Sequence, residues 1–339
     1  MPCSIRDVAK KAKVSVATVS KALNGYQDVS EETKKYILEV ANELNYVPNA
    51  SARNLSAKNI KNVAIIASGL IEEDQIDEFA MALIKGAYKY ISKLDMTIAM
   101  YSITSEDQEK KSFDQFCKEY SLSGALIMGL KTTDNYYKNL QQSKIPYVTI
   151  DVKVDSVVGS SVVTDDEKAF EEITQYVIDR NHKDLILVYG RKSALVTLKR
   201  EQGFKNAIQK NNINFENVTK IYSEFMEEEA YSKVKELLIE KGKDVGTAFV
   251  CMSDLMAFGT IRAIKECGYK IPEDFSVTGY DGMSFIKYVE PNITTINQNM
   301  VQKGYEAARL LSDMIEKNSE SKSINVDYQF ITGKSVKEL

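Results

Sequence analysis

The sequence predicts an α/β protein with a small helical head and a larger body of two lobes built on parallel sheets. Three observations indicate this. The first 48 residues contain three short amphipathic helical patterns and no strand pattern. From Val63 onward, short apolar runs such as NVAIIA, GALIM and YVTI alternate with helical segments, which is typical of parallel sheets with crossover helices. The length of 339 residues exceeds what one ordinary core accommodates.

The head begins with two short helices separated by a tight turn. Ser4 can cap the first helix, and Asp7 follows at capping-box spacing. Ser15 is a fresh cap for a second helix, which stops at Asn24 and Gly25, because glycine tolerates a left-handed backbone. Ser30 caps a third helix. Two capped amphipathic helices also occur in any helical protein, so this pattern alone leaves an ordinary helical domain open.

The second helix divides into two faces. Its apolar positions Val19, Ala22 and Leu23 can pack inward, and this leaves the remaining side chains to face outward. The third helix has a core-facing stripe that we expect to contain Tyr36, Ile37, Val40, Ala41 and Leu44. Three small helices around one core, with the second exposed, predict a helix-turn-helix domain whose second helix enters the major groove of DNA.

Several spaced motifs make the chain similar to the lactose-repressor (LacI/GalR) family of bacterial transcription regulators. These motifs are IRDVAKKAKVSVATVSKALNG, ELNYVPNASARNL, SDLMAFG, IPEDFSVTGYDG and NITTINQ. The resemblance implies a helix-turn-helix domain over residues 1–48, a hinge helix and linker over 49–61, and a two-lobed, periplasmic-binding-protein-like domain over 62–339. We expect residues 62–158 and 293–320 in the first lobe, and 161–290 and 322–336 in the second.

Candidate DNA-contacting residues lie in and beside the second helix, just after the third helix and in the hinge. Apolar side chains there can read a thymine methyl, a lysine can contact guanine or phosphate, and polar residues suit phosphates. These residues are Val16, Ala17, Lys21, Ser15, Thr18, Asn24 and Tyr46. In the resembled family, the residue matching Leu55 wedges between base pairs in the minor groove, with Ala52 and Arg53 alongside it. An ordinary linker leucine is the alternative.

The charge distribution fits a DNA-binding head. Although the whole chain carries a net charge of −4, residues 1–62 contain ten Lys and Arg against six Asp and Glu, a net charge of +4. The remainder is therefore at −8. A basic head on an acidic body is typical of a confined phosphate-contacting surface.

Polar residues that follow the apolar runs indicate a ligand cleft, because ligands of parallel sheets bind beyond the carboxyl ends of the strands. Family positions and strand ends together predict an effector site of Ser68, Asp151, Arg200, Phe225, Ser253, Asp281 and Met300. Arg200 and Asp281 suit bidentate hydrogen bonding to vicinal hydroxyls. Asp151 can also be a strand-end cap, and Asp254 a helix N-cap. Ser253 stands where many family members carry asparagine, so the resemblance does not transfer the effector's identity.

We expect a cytoplasmic homodimer that binds a palindromic operator and a small-molecule effector, such as a sugar, with no metal or cofactor and no membrane span. Whether the effector releases or promotes DNA binding stays open. A two-lobed solute-binding protein and a glycoside-acting enzyme are the alternatives. The sequence has no Gly-x-Ser-x-Gly elbow, phosphate-binding glycine loop or His/Cys metal set. Its four cysteines have no metal-type spacing, and its single histidine, His182, fits a structural role.

Overall fold

The structure is a computed structural model that describes residues 3–23, 26, 28–46, 61–69 and 78–339. The chain divides into two compact units, residues 1–60 and 61–339, which we call the head and the body. The predicted hinge residues Ala52, Arg53 and Leu55 lie outside the described residues, as does Asn24. Within the described part of the chain, no helix is long and apolar enough to cross a membrane.

The described part of the head contains three helices: α1 (Ile5–Ala12), α2 (Val16–Leu23) and α3 (Glu31–Glu43). Each helix starts directly after the serine that was predicted to cap it. The Asp7 carboxylate accepts hydrogen bonds from the backbone N–H and hydroxyl of Ser4, and the Ser15 hydroxyl accepts one from the backbone N–H of Thr18 at 3.0 Å. The core is built from small and branched apolar side chains: Val8, Ala9, Ala12, Val19, Ala22, Val29, Ile37, Val40 and Ala41.

Tyr36 is not part of this core, so its predicted inward position is wrong. Its side chain is 49% exposed, whereas the neighbouring Ile37 is fully buried. Adjacent residues on a helix point about 100° apart, so only one of the two can face a core this narrow.

The first lobe of the body is a six-stranded, fully parallel sheet in the order β11-β5-β4-β3-β1-β2. Its strands are β1 (Lys61–Ser68), β2 (Met96–Ile103), β3 (Gly124–Met128), β4 (Tyr147–Ile150), β5 (Gly159–Val163) and β11 (Ser323–Asn325). The helices of this lobe are α4 (Glu78–Ile91), α5 (Ser105–Lys110), α6 (Phe113–Glu119), α7 (Asn135–Asn139) and α12 (Met300–Lys317). The backbones of helices α4 and α12 approach each other closely at Gly304. A Cβ added to this glycine would lie only 2.0 Å from the carbonyl oxygen of Leu83, so the close packing depends on glycine.

The second lobe has a four-stranded parallel sheet in the order β7-β6-β8-β9. Its strands are β6 (Leu185–Tyr189), β7 (Thr219–Tyr222), β8 (Ala248–Cys251) and β9 (Ser276–Thr278). Its helices are α8 (Asp166–Ile178), α9 (Leu195–Lys210), α10 (Glu227–Lys241) and α11 (Asp254–Glu266). Strand β10 (Thr295–Asn297) pairs antiparallel with β12 (Gln329–Ile331). Two isolated parallel bridges, between residues 278 and 294 and between residues 281 and 297, connect this segment to the end of β9 and the residues after it.

The strand pairing differs from the predicted lobe boundaries. We expected the chain to cross from the first lobe to the second before residue 161. Strand β5 (Gly159–Val163) nevertheless pairs with β4 in the first sheet, so the crossing comes after it. Residues 295–297 belong with the second lobe rather than the first, because β10 pairs with β12 and continues beside residue 281. Strand β5 reads GSSVV, which lacks a continuous apolar run; all five residues are buried, and its two edges pair with β4 and β11.

Candidate functional site

Polar side chains that follow strands of both sheets come together where the two lobes meet. Asp151 follows β4 of the first lobe and has a left-handed backbone with φ of 61°. Asp281 lies beyond β9 of the second lobe with φ of 114°. Arg200 projects from α9 of the second lobe and is 3% exposed. The structure therefore places three predicted effector residues at the carboxyl ends of strands or close to them, as the topology requires.

Arg200 is held by groups from three segments of the second lobe. Its Nε donates to Oδ1 of Asp166 at 3.0 Å, and one terminal nitrogen donates to the carbonyl of Met252 at 2.5 Å. Its other terminal nitrogen lies 3.7 Å from Oδ1 of Asp281, and the guanidinium stacks 3.9 Å from the ring centroid of Tyr280. Burial acts to lower the pKa of Arg200, but attraction to Asp166 and Asp281 outweighs it, so the pKa is raised and the charge is permanent.

A second buried cation, Lys303 on α12, was not predicted. Its side chain is fully buried, and its Nζ donates to Oδ1 of Asp151 at 2.5 Å and to Oε1 of Gln298 at 2.7 Å. Gln298 in turn donates from Nε2 to Oδ1 of Asp281 at 2.7 Å. The spacing of Met300, Lys303 and Gly304 on one helix face could have indicated a buried lysine. This chain of contacts joins the two lobes through the crossover before α12.

Phe225 lies against the same group of residues. Its ring covers Gly190, the residue after β6, so closely that a Cβ there would lie 2.0 Å from the ring. The Arg200 guanidinium is 5.9 Å from the ring centroid of Phe225. This geometry offers an aromatic surface beside a cation and a carboxylate, which suits a ring that is apolar on its face and polar at its edge.

The structure places the other predicted effector residues differently. Ser68 is fully buried, donates to Oδ2 of Asp134 at 2.8 Å and accepts from Nε2 of Gln108 at 2.8 Å. Met300 is 6% exposed and packs in the core of the first lobe. Ser253 is 3% exposed and caps α11 by accepting from the backbone N–H of Met256 at 3.2 Å. These side chains have protein partners, and any role they have toward a ligand stays a prediction.

Asp254 is not the cap of α11, because Ser253 occupies that position. Its carboxyl accepts from the Thr295 hydroxyl at 2.6 Å and from the backbone N–H of Met283 at 2.8 Å. Complete burial raises the pKa of Asp254 to about 7. Through its hydrogen bond from Met283, Asp254 therefore connects the segment after β9, which carries Asp281, to the start of α11.

The raised pKa of Asp254 predicts a pH dependence of stability. Between about pH 4 and pH 7, the folded chain retains this proton while the unfolded chain releases it. Raising the pH through this window should therefore lower the free energy of unfolding, on the order of a few kcal/mol. Urea denaturation across this range should show a weaker decline in Asp254→Asn. The exposed Asp327→Asn should keep the wild-type slope. Parallel slopes for Asp254→Asn and the wild type would contradict the assignment.

The exposed face of α2 carries the predicted DNA readers. Val16 is 42% exposed, and Ala17 is also exposed. Lys21 is exposed and pairs with Asp28. The hydroxyls of Ser15 and Thr18 are 2.8 Å apart at the start of this helix.

Tyr46 is only partly exposed and packs against the head core, and burial raises the pKa of its phenol. The exposure of Val16, Ala17 and Lys21 agrees with the expectation that these side chains of α2 point outward. Their contact with DNA stays a prediction.

An exposed, capped second helix in the head, and polar side chains gathered where two α/β lobes meet, are the features expected of a DNA-binding head joined to a ligand-binding body. Residues 4–49 match the family model described as bacterial regulatory proteins, lacI family, and residues 174–336 match a periplasmic binding protein-like domain. The HTH-type transcriptional regulator MalR of Clostridium butyricum is 30% identical over 335 residues, which cover 97% of each chain. The chain belongs to the lacI family of bacterial transcriptional regulators.

Solved structures share this fold. The lac repressor dimer bound to operator and the anti-inducer ONPF superposes with a TM-score of 0.84 at 21% identity and covers 99% of this chain and 100% of its own. The complex of the regulator CelR with cellobiose has a TM-score of 0.72 at 24% identity and covers 98% of this chain and 99% of its own. Both matches extend over nearly the full length of this chain.

Proposed function

We propose that this regulator is a repressor that binds a palindromic operator as a homodimer and responds to a carbohydrate effector in its cleft. The observation that carries the ligand assignment is the pair of the buried Arg200 and the partly buried Asp281, with the ring of Phe225 beside Arg200. A guanidinium and a carboxylate recognise vicinal hydroxyls by donating to one and accepting from the other. CelR, which shares the architecture, is solved with cellobiose bound. An effector that changes the angle between the lobes would act on the DNA through the hinge segment.

A thermal-shift titration tests the ligand class. The purified protein is heated with pentoses, hexoses, disaccharides, sugar phosphates and purines. A sugar should raise the melting temperature, because a ligand that binds only the folded state stabilises it by mass action. The shift should disappear in Asp281→Ala and persist in Asp327→Ala, whose aspartate is exposed. A purine shift without any sugar shift, or a sugar shift unaffected by Asp281→Ala, would reject the assignment.

Exposed apolar side chains support the homodimer. Tyr88 and Met81 on α4 are 61% and 50% exposed, and Met100 on the edge strand β2 is 40% exposed. In the second lobe, Tyr288 is 81% exposed and borders a groove of about 340 Å³ that is also lined by Phe258. Met81 and Tyr88 are seven residues, or two turns, apart on α4 and so share a helix face, and exposed apolar side chains grouped in this way favour an interface with another chain. A twofold dimer also supplies the second reader that a palindromic operator requires.

Replacing Tyr88 by aspartate should therefore weaken self-association by at least about 10-fold, since a charge would be buried without a partner. Sedimentation equilibrium measures this change. Tyr120→Asp is the matched control, because Tyr120 is 43% exposed but lies after α6 rather than on α4 or β2. Equal dimerisation of the Tyr88→Asp variant and the wild type would place the interface elsewhere.

A further inference from the structure

The segment between β6 and α9 contacts the first lobe through its backbone. The carbonyl oxygen of Ser193 accepts hydrogen bonds from the backbone N–H of Thr132 at 3.1 Å and from the Thr132 hydroxyl at 3.3 Å. Beside this pair, Lys131 and Ala194 form an isolated antiparallel bridge. Residues 131–132 follow β3 of the first lobe, and residues 193–194 precede α9 of the second. Backbone groups 61 residues apart in sequence therefore join the two lobes directly.

Leu195, the first residue of α9, adds an apolar contact at the same place. Its side chain is partly buried and packs against a core cluster of the first lobe that includes Leu130, although Leu195 itself belongs to the second lobe. Moving the lobes apart would return this apolar surface to water, which is unfavourable. We call the meeting of residues 131–132 with residues 193–195 the interlobe contact, and the arrangement that contains it the closed arrangement.

Neighbouring residues of the same segment also reach the first lobe. Lys199 donates from Nζ to the backbone carbonyl of Asp151, which follows β4, at 3.5 Å. Arg191 lies near Gly69, which follows β1, because a Cβ on this glycine would be 3.9 Å from Nη1 of the arginine. Residues 191–199 therefore extend across the carboxyl ends of three strands of the first sheet, β1, β3 and β4.

Every donor, acceptor and apolar group in the interlobe contact belongs to the protein, so the contact needs no ligand. Surfaces between domains of one chain resemble transient interfaces, and relative motion of the domains is the default expectation. A contact that exists in only one of two arrangements shifts the population toward that arrangement. The strength of the interlobe contact is thus a bias built into the chain, separate from the side chains assigned to the effector.

We propose that the interlobe contact is a conformational device that favours the closed arrangement without effector and thereby sets the operator affinity of the ligand-free regulator. Leu195 supplies the apolar part of this bias, and the backbone groups of Thr132 and Ser193 fix the register in which the lobes meet. An effector acts by adding to this bias or opposing it. The inference rests on the proposed function for its link to DNA, since the lobe angle acts there through the hinge segment.

Two substitutions on α9 test the contribution of Leu195. Leu195→Asp places a charge against the first-lobe core and should favour separation of the lobes. An aspartate in the first turn of a helix is favourable, so α9 itself should stay intact. Leu198→Asp is the matched control, because Leu198 lies on the same helix but is 51% exposed. Operator affinity without sugar should change at least about 10-fold in Leu195→Asp and less than about twofold in Leu198→Asp.

A reversible cross-link tests the same contact in the opposite direction. Opposed residues of an antiparallel pair have Cα atoms about 4.5–5.5 Å apart, which a disulfide can span. Lys131→Cys and Ala194→Cys are therefore combined in a chain whose partly exposed Cys3 and Cys267 are replaced by serine, while the two buried cysteines stay. Copper phenanthroline forms the disulfide and dithiothreitol reduces it. The same chain without the two new cysteines is the control for oxidation.

Operator affinity of the full-length variants is measured by fluorescence anisotropy on DNA selected by the wild type. The oxidised double-cysteine variant and Leu195→Asp should differ at least about 10-fold, with the wild type between them or level with the oxidised variant. Reduction should abolish the effect of the disulfide. If Leu195→Asp does not fold, Leu195→Ala replaces it and should differ from the oxidised variant at least about threefold.

Three results would overturn the proposal. Failure of the disulfide to form would show that residues 131 and 194 do not meet. Affinities of the oxidised variant and Leu195→Asp within about twofold of each other would show that the contact does not act on the DNA. Displacement of both to the same side of the wild type would indicate general damage, because opening and closing the lobes must have opposite effects.

The outcomes separate this proposal from the proposed function. If no sugar stabilises the wild type but the two variants differ as expected, the conformational device stands and the ligand class is wrong. If a sugar binds with dependence on Asp281 but the two variants bind the operator equally, the proposed ligand class stands and the conformational device is wrong.

Discussion

Arg200→Met should lower the free energy of unfolding of the body by about 3–5 kcal/mol. The guanidinium is 3% exposed and carries the positive charge beside Asp166 and Asp281. Methionine preserves much of the volume but leaves both carboxylates without a cation, and it removes the donor to the Met252 carbonyl. The loss should appear as a lower urea midpoint of the transition assigned to residues 61–339, together with loss of any sugar-dependent thermal shift.

Arg262→Met is the matched control for this prediction. Arg262 lies on α11 and pairs with two carboxylates, those of Glu227 and Glu228, but its side chain is 34% exposed. Water can replace these contacts, so the change should cost no more than about 1 kcal/mol. Equal losses in the two variants would show that burial does not distinguish the two arginines, which would remove the structural basis for a special role of Arg200.

Ala17→Glu should abolish specific operator binding, with a loss of about 100-fold or more. Ala17 is exposed on α2, so the substitution leaves the core of the head intact. A glutamate on a helix in the major groove would lie near phosphates and would replace a small apolar contact with a charge. Binding can be measured by fluorescence anisotropy on an operator selected from a random DNA pool by the wild-type protein.

Asn42→Glu makes the same change in charge at an exposed position of α3. Its operator affinity should stay within about threefold of the wild type at physiological salt, because only a long-range charge effect remains. Circular dichroism of both variants establishes that the helices are intact. If Asn42→Glu loses as much affinity as Ala17→Glu, general repulsion explains the effect and α2 is not singled out as the reader.

Local patterns determined much of this protein. The three serine caps and the apolar stripes of the head correctly predicted α1, α2 and α3, because capping and helix period depend on neighbouring residues. The polar residues after the apolar runs correctly predicted that Asp151 lies just after β4 and Asp281 beyond β9, since a strand pattern shows where the strand ends.

Pairing between distant segments was decided only by the tertiary structure. The residues GSSVV form a strand because β4 and β11 flank them, although their local pattern is not that of a buried strand. The roles of Lys303 and Gln298 depend on contacts with Asp151 and Asp281, which are 152 and 17 residues away along the chain. Burial of a charge becomes favourable only when its partner is already in place, and no local sequence pattern records where that partner lies.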